Sequence, residues 1–460
     1  MFRRYAFAFV IIVSFVLLTA CGSSRSGGGS PFVVGTSKVS LTMGDAPPAG
    51  VTVLAFQIAV TGAVLNATGS TASLVSSPTT LELGRLLVET AYLNTASVRA
   101  NTYNSVAFTF ANPKLTIYNG SGAAIGLCAA RAICQLTPTL SPASVTYSSA
   151  PFPLAVSINS PLGLVLDFNL NNSLQSDLSI NPSIAVSQLT PSGANGLLED
   201  ENILGKITAI STANNQFTVQ NGLSGLSFTF TVDSGTTYAD FAGSSFSSLA
   251  VGQIVEVDAH LLAAGTFQAT RVSLKESSIQ GMLEGVVTSV DSATQFKIVV
   301  TDEQPDVLGI AVGDPVTVSI QSGPSFEIDA HDLTIPVRLT FASAADLLVG
   351  QSIQVRPLPS TVGPSGITTP TDRVRLRRSR FTAQVFLKAD PNFTVNNLPG
   401  LFASTIPAIS QIQARTSAQT AYQGVTGFAA LNLGDTVSLR GLLFKTLGDP
   451  TLVADAVRKR

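Results

Sequence analysis

Tryptophan is absent from this chain, and 460 residues include only two histidines, three methionines and three cysteines. A metal centre draws three or four ligands from a small set of residue types, so so few histidines and cysteines give no support for one. No C-x-x-C pair occurs. Charged residues make up 12% of the chain, about half the usual share. The formal net charge of −2 provides no basic footprint for nucleic acid at whole-chain level. Also missing are the G-x-S-x-G nucleophile elbow and the G-x-x-x-x-G-K-[ST] and G-x-G-x-x-G phosphate cradles. No catalytic residue, metal ligand or cofactor is therefore assigned.

What the chain has in plenty is Gly, Ser, Thr, Asn and Val, a β-rich and weakly charged composition. Its length exceeds what one hydrophobic core organises, so three or four domains of roughly 100–150 residues are expected. Residues 1–20, MFRRYAFAFVIIVSFVLLTA, place two arginines before an apolar run from Ala6 to Leu18. That run is short for a bilayer span and reads as a signal peptide. The following L-T-A-C, Leu18 to Cys21, resembles the bacterial lipobox, whose cysteine is diacylated; the alternative is an ordinary cleavage site with an incidental cysteine. Segment 21–36 then reads as a lipidated cysteine and a Gly/Ser tether. Gly22 stands where the enteric sorting rule places an inner-membrane aspartate, so an outer-membrane anchor facing the periplasm or the cell surface is expected. In that oxidising compartment Cys128 and Cys134 read as a loop-closing disulfide rather than a redox or metal pair.

Beyond the tether, short β-branched runs alternate with Pro, Gly and Asn clusters, which suggests a β-sandwich over 37–196. The opening VSLTMGDAPPAGV, the Y-x-x-V-x-F run from Tyr103 to Phe108 and the closing LVLDFNLNNSL resemble the bacterial domain of unknown function 4382. That resemblance covers about 37–190 and implies a sandwich at the start of envelope lipoproteins, with no agreed catalytic residues.

Past an acidic junction containing Glu199, Asp200 and Glu201, which reads as a hydrated hinge, the texture changes. LAVGQIVEV at 249–257 returns as LLVGQSIQV at 347–355 and LNLGDTVSL at 431–439. In the first copy Val255, Val257, Ala259 and Leu261 share one strand face, and Glu256, Asp258 and His260 the other. A glycine after an apolar residue suggests a turn needing positive φ that launches each strand into a small barrel of about five strands. Three units follow, 203–276, 281–377 with an insertion that carries an extra VGDPVTV at 312–318, and a divergent 381–460. They resemble the domain of unknown function 5666, in which L-x-V-G-D-x-V-x-V followed by A-x-x-V recurs in tandem. That family carries no activity over. The expected fold is all-β, a sandwich followed by three small OB-like barrel repeats, with separate cores joined by linkers.

Two further features bear on chemistry. Both histidines sit in D-A-H triplets, Asp258-Ala259-His260 and Asp329-Ala330-His331. An aspartate and a histidine two apart on a strand share a face and could hold a metal together, but solvated strand faces are the simpler reading. In DRVRLRRSR, Arg373, Arg375 and Arg377 fall on one strand face with Arg378 and Arg380 beyond. Such a run is either a polyanion-binding surface or a solubilising edge strand. The partners expected are the membrane, through the lipid anchor, and an envelope glycan or protein; nucleic acid is not expected. A non-catalytic binding, adhesive or scaffolding role follows, with a glycan hydrolase built on an interdomain Asp/Glu site as the alternative. Replacing Cys21 by Ser should move the protein from the membrane fraction to a soluble envelope pool. Sedimentation with membranes after a high-salt wash would show that something other than lipid holds it.

Overall fold

The computed structural model describes residues 35–46, 51–189, 198–262, 264–277, 281–304, 309–331, 333–359, 361–363 and 366–460. The leader, Cys21 and all but the last residues of the tether lie outside them. Gly35–Arg460 form one compact unit.

The N-terminal part is a two-sheet sandwich. One sheet runs in the order Ile184–Leu189, Leu162–Asn169, Thr36–Ala46, Ala91–Arg99; the other is built around Thr52–Ala67 paired with Ser105–Tyr118. Alternating apolar residues of the two inner faces meet between them, with the Phe168 ring in contact with both Phe56 and Phe110. Cys128 and Cys134 are disulfide-bonded, with Cα atoms 5.6 Å apart.

Three five-stranded barrels follow. In each the first strand pairs with the second and fourth, the fifth pairs with the fourth, and a parallel pairing of the third with the fifth closes the cylinder. In the first barrel these strands are Leu198–Ser211, Gln216–Gln220, Ser227–Thr231, Ile254–Leu261 and Phe267–Glu276. In the second they are Met282–Ser292, Gln295–Gln304, Pro315–Ile328, Ser352–Pro357 and the early part of Gly366–Ala389. The late part of Gly366–Ala389 opens the third barrel, which continues through Asn392–Asn396, Ile412–Arg415, Thr436–Phe444 and Thr451–Lys459. The first and third barrels each have an apolar cluster of their own, with Val255, Val257, Ala259 and Leu261 in the first, whereas the cluster of the second barrel also takes in Leu54, Ala55 and Tyr118 of the sandwich and Leu442, Phe444 and Val453 of the third barrel.

The recurring turn has one construction. Gly252, Gly350 and Gly434 adopt φ of 96°, 88° and 86°. Their N–H groups donate to Ile207, Val287 and Val385 on the first strand of their barrel, at 2.9, 2.8 and 2.8 Å. The next residue reaches back: Gln253, Gln351 and Asp435 accept from the N–H three positions earlier at 2.7, 2.6 and 2.8 Å. Gly313 in the inserted VGDPVTV is a fourth copy, with φ 94° and Asp314 accepting from Ala311 at 2.9 Å. Two copies are docked and two exposed: Val312 and Val349 are buried, whereas Val251 and Leu433 are each 63% exposed.

Two expectations are corrected. No linker separates the second and third repeats, because the expected boundary at 377–381 lies inside the continuous strand Gly366–Ala389. The acidic junction is no hinge either: from Leu198 onward its backbone is strand, with Leu198, Glu199 and Asp200 in register with Leu261, His260 and Ala259. The side chains of Glu199, Asp200 and Glu201 lie outside the described residues.

The turn glycines differ in what surrounds them, and that difference is measurable. A Cβ at Gly252 would meet nothing within 4 Å, whereas one at Gly350 would come within 2.4 Å of the Phe402 ring. Gly252→Ala should therefore cost about 1–2 kcal/mol of backbone strain, and Gly350→Ala distinctly more, since Phe402 must also move. Equal losses in denaturant unfolding would refute this ranking.

Candidate functional site: a buried charged seam and the cleft beside it

The shared strand changes phase where it passes from one barrel to the next. Even-numbered Val374 and Leu376 point into the second barrel, and odd-numbered Phe381, Ala383 and Val385 into the third. Arg373, Arg375 and Arg377 consequently face away from the second core, and Arg378 and Arg380 away from the third. The edge-strand reading of this run fails: over Arg373–Leu376 the strand is paired on both sides, and Arg377 and Arg378 are 4% and 6% exposed. No solubilising edge exists here, and the guanidinium groups are already engaged by carboxylates.

Arg377 binds Glu256 of the first barrel and Glu284 and Asp329 of the second, its Nε lying 3.1 Å from Glu284. Lys275, from the last strand of the first barrel, joins them at 3.1 Å from Glu256 and 2.6 Å from Asp329. Arg378 and Arg440 flank Asp455 at 2.5 and 2.9 Å within the third barrel. Arg380 and Arg440 both reach Glu89 of the sandwich at 2.6 Å. Arg85 of the sandwich meets Asp302 of the second barrel. Arg373 and Arg375 make outlying pairs with Glu276 and Glu327. Thus Arg85, Lys275, Arg377, Arg378, Arg380 and Arg440 are set against Glu89, Glu256, Glu284, Asp302, Asp329 and Asp455, six cations with six carboxylates.

The electrostatics follow from burial and pairing. Burial alone pushes the Glu89 carboxyl up, but Arg380, Arg440 and Arg85 outweigh it and hold the group at about 2. Burial is likewise overridden at Glu256 by Arg377 and Lys275, and at Glu284 by Arg377 and Arg85, so both carboxyls are held below their ordinary range. Burial opposes the Arg377 charge, yet Glu256, Glu284 and Asp329 keep it firmly protonated. Asp302 differs: burial, with the neighbouring Glu284, raises its carboxyl against the pull of Arg85.

The two D-A-H triplets do meet, though not as a metal pair. His331 Nε2 lies 2.7 Å from Asp258 Oδ2, linking second barrel to first, while Asp329 is taken by Lys275 and Arg377. His331 carries φ 51°. Among the described residues no group of three or more His, Cys, Asp or Glu side chains could hold a metal ion. The inserted turn also docks on the sandwich, where Gln57 and Thr116 donate to the carbonyls of Val312 and Gly313 at 2.5 and 2.8 Å.

Beside the seam lies a cleft of about 660 Å³ where sandwich, second and third barrels meet. Arg380, Thr382 and Gln384 line it along one face of the shared strand, with Asn397 and Thr436 from neighbouring segments. Val53, Leu54 and Leu401 contribute its apolar wall. Of the seam residues, only the arginines of 373–380 and Asp329, in its D-A-H triplet, stood out in the sequence. Glu256 was visible only as part of the polar face of an alternating strand, a pattern shared by wet and buried strands, and Asp258 as part of that face and of a D-A-H triplet. Glu89, Lys275, Glu284, Asp302, Arg440 and Asp455 carried no local signal.

Residues 205–273 match the family model described as Domain of unknown function (DUF5666). No curated protein matches the chain. Among solved structures, it is similar to drosophila Unr CSD456, at 8% identity and a TM-score of 0.14 over 57% of this chain and 99% of that one. It is also similar to a multidomain protein with nucleic acid binding domains from Streptococcus pneumoniae tigr4, at 15% identity and a TM-score of 0.12 over 54% and 71% of the two chains. Likeness at these scores has no bearing on what the chain binds.

Because Glu89 is held below its unfolded value, its contribution to stability is fully present above about pH 4.5 and is lost as pH falls through about 2. Between pH 6 and pH 2 the loss attributable to Glu89 is roughly 3 kcal/mol. Glu89→Gln should start less stable and show a correspondingly shallower acid dependence in denaturant unfolding. An unchanged dependence would mean that Glu89 is not held ionised by its arginines.

Proposed function

We propose that this chain is a lipid-anchored envelope protein with a non-catalytic binding or scaffolding role. Cys21 holds it to the outer membrane, and a sandwich similar to the domain of unknown function 4382 stands next to the tether. The observation that carries this reading is the matching of carboxylates to cations where the modules meet. A hydrolase of glycans needs two carboxyl groups facing each other across a cleft, one of them protonated. Glu89, Glu256, Glu284 and Asp329 are instead held ionised by arginine and lysine, and Asp302, though raised by burial, is paired with Arg85, which suits a rigid platform that presents surface. Buried pairs of this kind add little net stability but are costly to break, so they favour one fixed arrangement of modules over several.

The test is incubation of the full chain with purified envelope glycans, reading both co-sedimentation and new reducing ends. Saturable binding without new reducing ends is expected. Steady release of reducing ends would overturn the non-catalytic reading.

A further inference from the structure

The geometry points to the 660 Å³ cleft as a binding site for a carboxylated oligosaccharide, a reading that rests on the non-catalytic role above and gives it a ligand class. The volume falls in the range of small-ligand sites. Its polar wall is a ladder: Arg380, Thr382 and Gln384 occupy alternate positions on the face of the shared strand that points away from the third core. Alternate side chains on a strand stand about 6.5–7 Å apart, so the ladder spans about 13 Å. Across the strand pair Thr436, in register with Gln384, also lines the cleft, while Ser438 and Arg440, in register with Thr382 and Arg380, are buried behind it.

Composition of that surface selects the ligand. The strand turns a face to the cleft rather than an edge, so an extended peptide could not add to it through main-chain hydrogen bonds. What it presents is a row of hydroxyl and amide groups held in place by their own bonds, Thr382 to the Ser438 hydroxyl at 2.8 Å and Gln384 donating to the Gly434 carbonyl at 3.0 Å and accepting from Asn397 at 2.7 Å, whose remaining donors and acceptors suit the hydroxyls of linked sugar rings. Val53, Leu54 and Leu401 opposite suit the apolar face of a ring. At the inner end Arg380 gives Nη2 to Glu89 at 2.6 Å and Nη1 to the Arg378 carbonyl at 3.1 Å, while its buried Nε has no hydrogen-bond partner. Arg440, which also pairs with Asp455, meets the same Glu89 carboxylate. A ligand carboxylate is the group whose planar geometry a guanidinium accepts best.

The test uses the full chain in detergent with two probes, a tetrasaccharide of glucuronic acid and its neutral glucose counterpart, followed by calorimetric titration. The acidic probe should bind at least about tenfold more tightly than the neutral one, and Gln384→Met should weaken it by about tenfold, equivalent to 1.4 kcal/mol. Arg380→Lys should erase the preference for the acidic probe while leaving the neutral one unchanged. Gln384 stands outside the ion pairs, so its variant remains informative if Arg380→Lys fails to fold. No saturable binding of the acidic probe at millimolar concentration, or equal binding by wild type and Gln384→Met, overturns the site. Release of reducing ends from the probes would instead overturn the non-catalytic reading, and the Gln384→Met comparison would still decide whether this cleft is where the sugar sits.

Discussion

Arg377 is the point on which the arrangement of modules depends. Its guanidinium is buried among Glu256, Glu284 and Asp329, drawn from two barrels, and Lys275 completes the group. Taking these charges from water costs several kcal/mol each, and only their mutual attraction offsets it. The group is therefore stable when complete and strongly unfavourable when incomplete. That property suits an interface that must form in one way: a displaced barrel would leave a carboxylate or a guanidinium buried alone. Arg380 and Arg440 on Glu89, and Arg85 on Asp302, extend the same constraint to the sandwich.

The continuous strand makes this possible. A linker between the second and third barrels would let each rotate, whereas a strand common to both fixes their relation through the backbone. The switch of inward phase between Leu376 and Phe381 places two adjacent arginines, Arg377 and Arg378, on opposite sides of one backbone. One faces the first and second barrels and the other serves the third. The cleft follows from the same geometry, since the even-numbered face that begins with Arg378 continues as Arg380, Thr382 and Gln384.

Much of the architecture was legible in the sequence because it is written locally. Strand alternation at Val255, Val257, Ala259 and Leu261 identifies an inward face, and the Val-Gly turn is encoded by a glycine with φ near 90° followed by a side chain that caps it. The same local rule explains why the inserted Val312-Gly313 turn, set aside as a repeat element, adopts the repeat geometry. The seam was not legible, for a physical reason. A polar face at Glu256 and Asp258 looks the same whether water or another module covers it, and the partners of Arg377 come from positions 256, 284 and 329. Low overall charge gave no hint of the seam, although 13 of the chain's described charged residues are buried.

The central claim is that the seam holds the first and third barrels, whose apolar clusters share no residue, in one cooperative unit. Native-state hydrogen exchange measures this directly, comparing amides of Ile254–Leu261 in the first barrel with those of Thr436–Phe444 in the third. In the wild type both sets should exchange through the same global opening, and Arg377→Leu should lower that opening free energy in both by about 3–5 kcal/mol. If the two barrels open with independent free energies, or if Arg377→Leu affects neither set, the seam does not hold the molecule together.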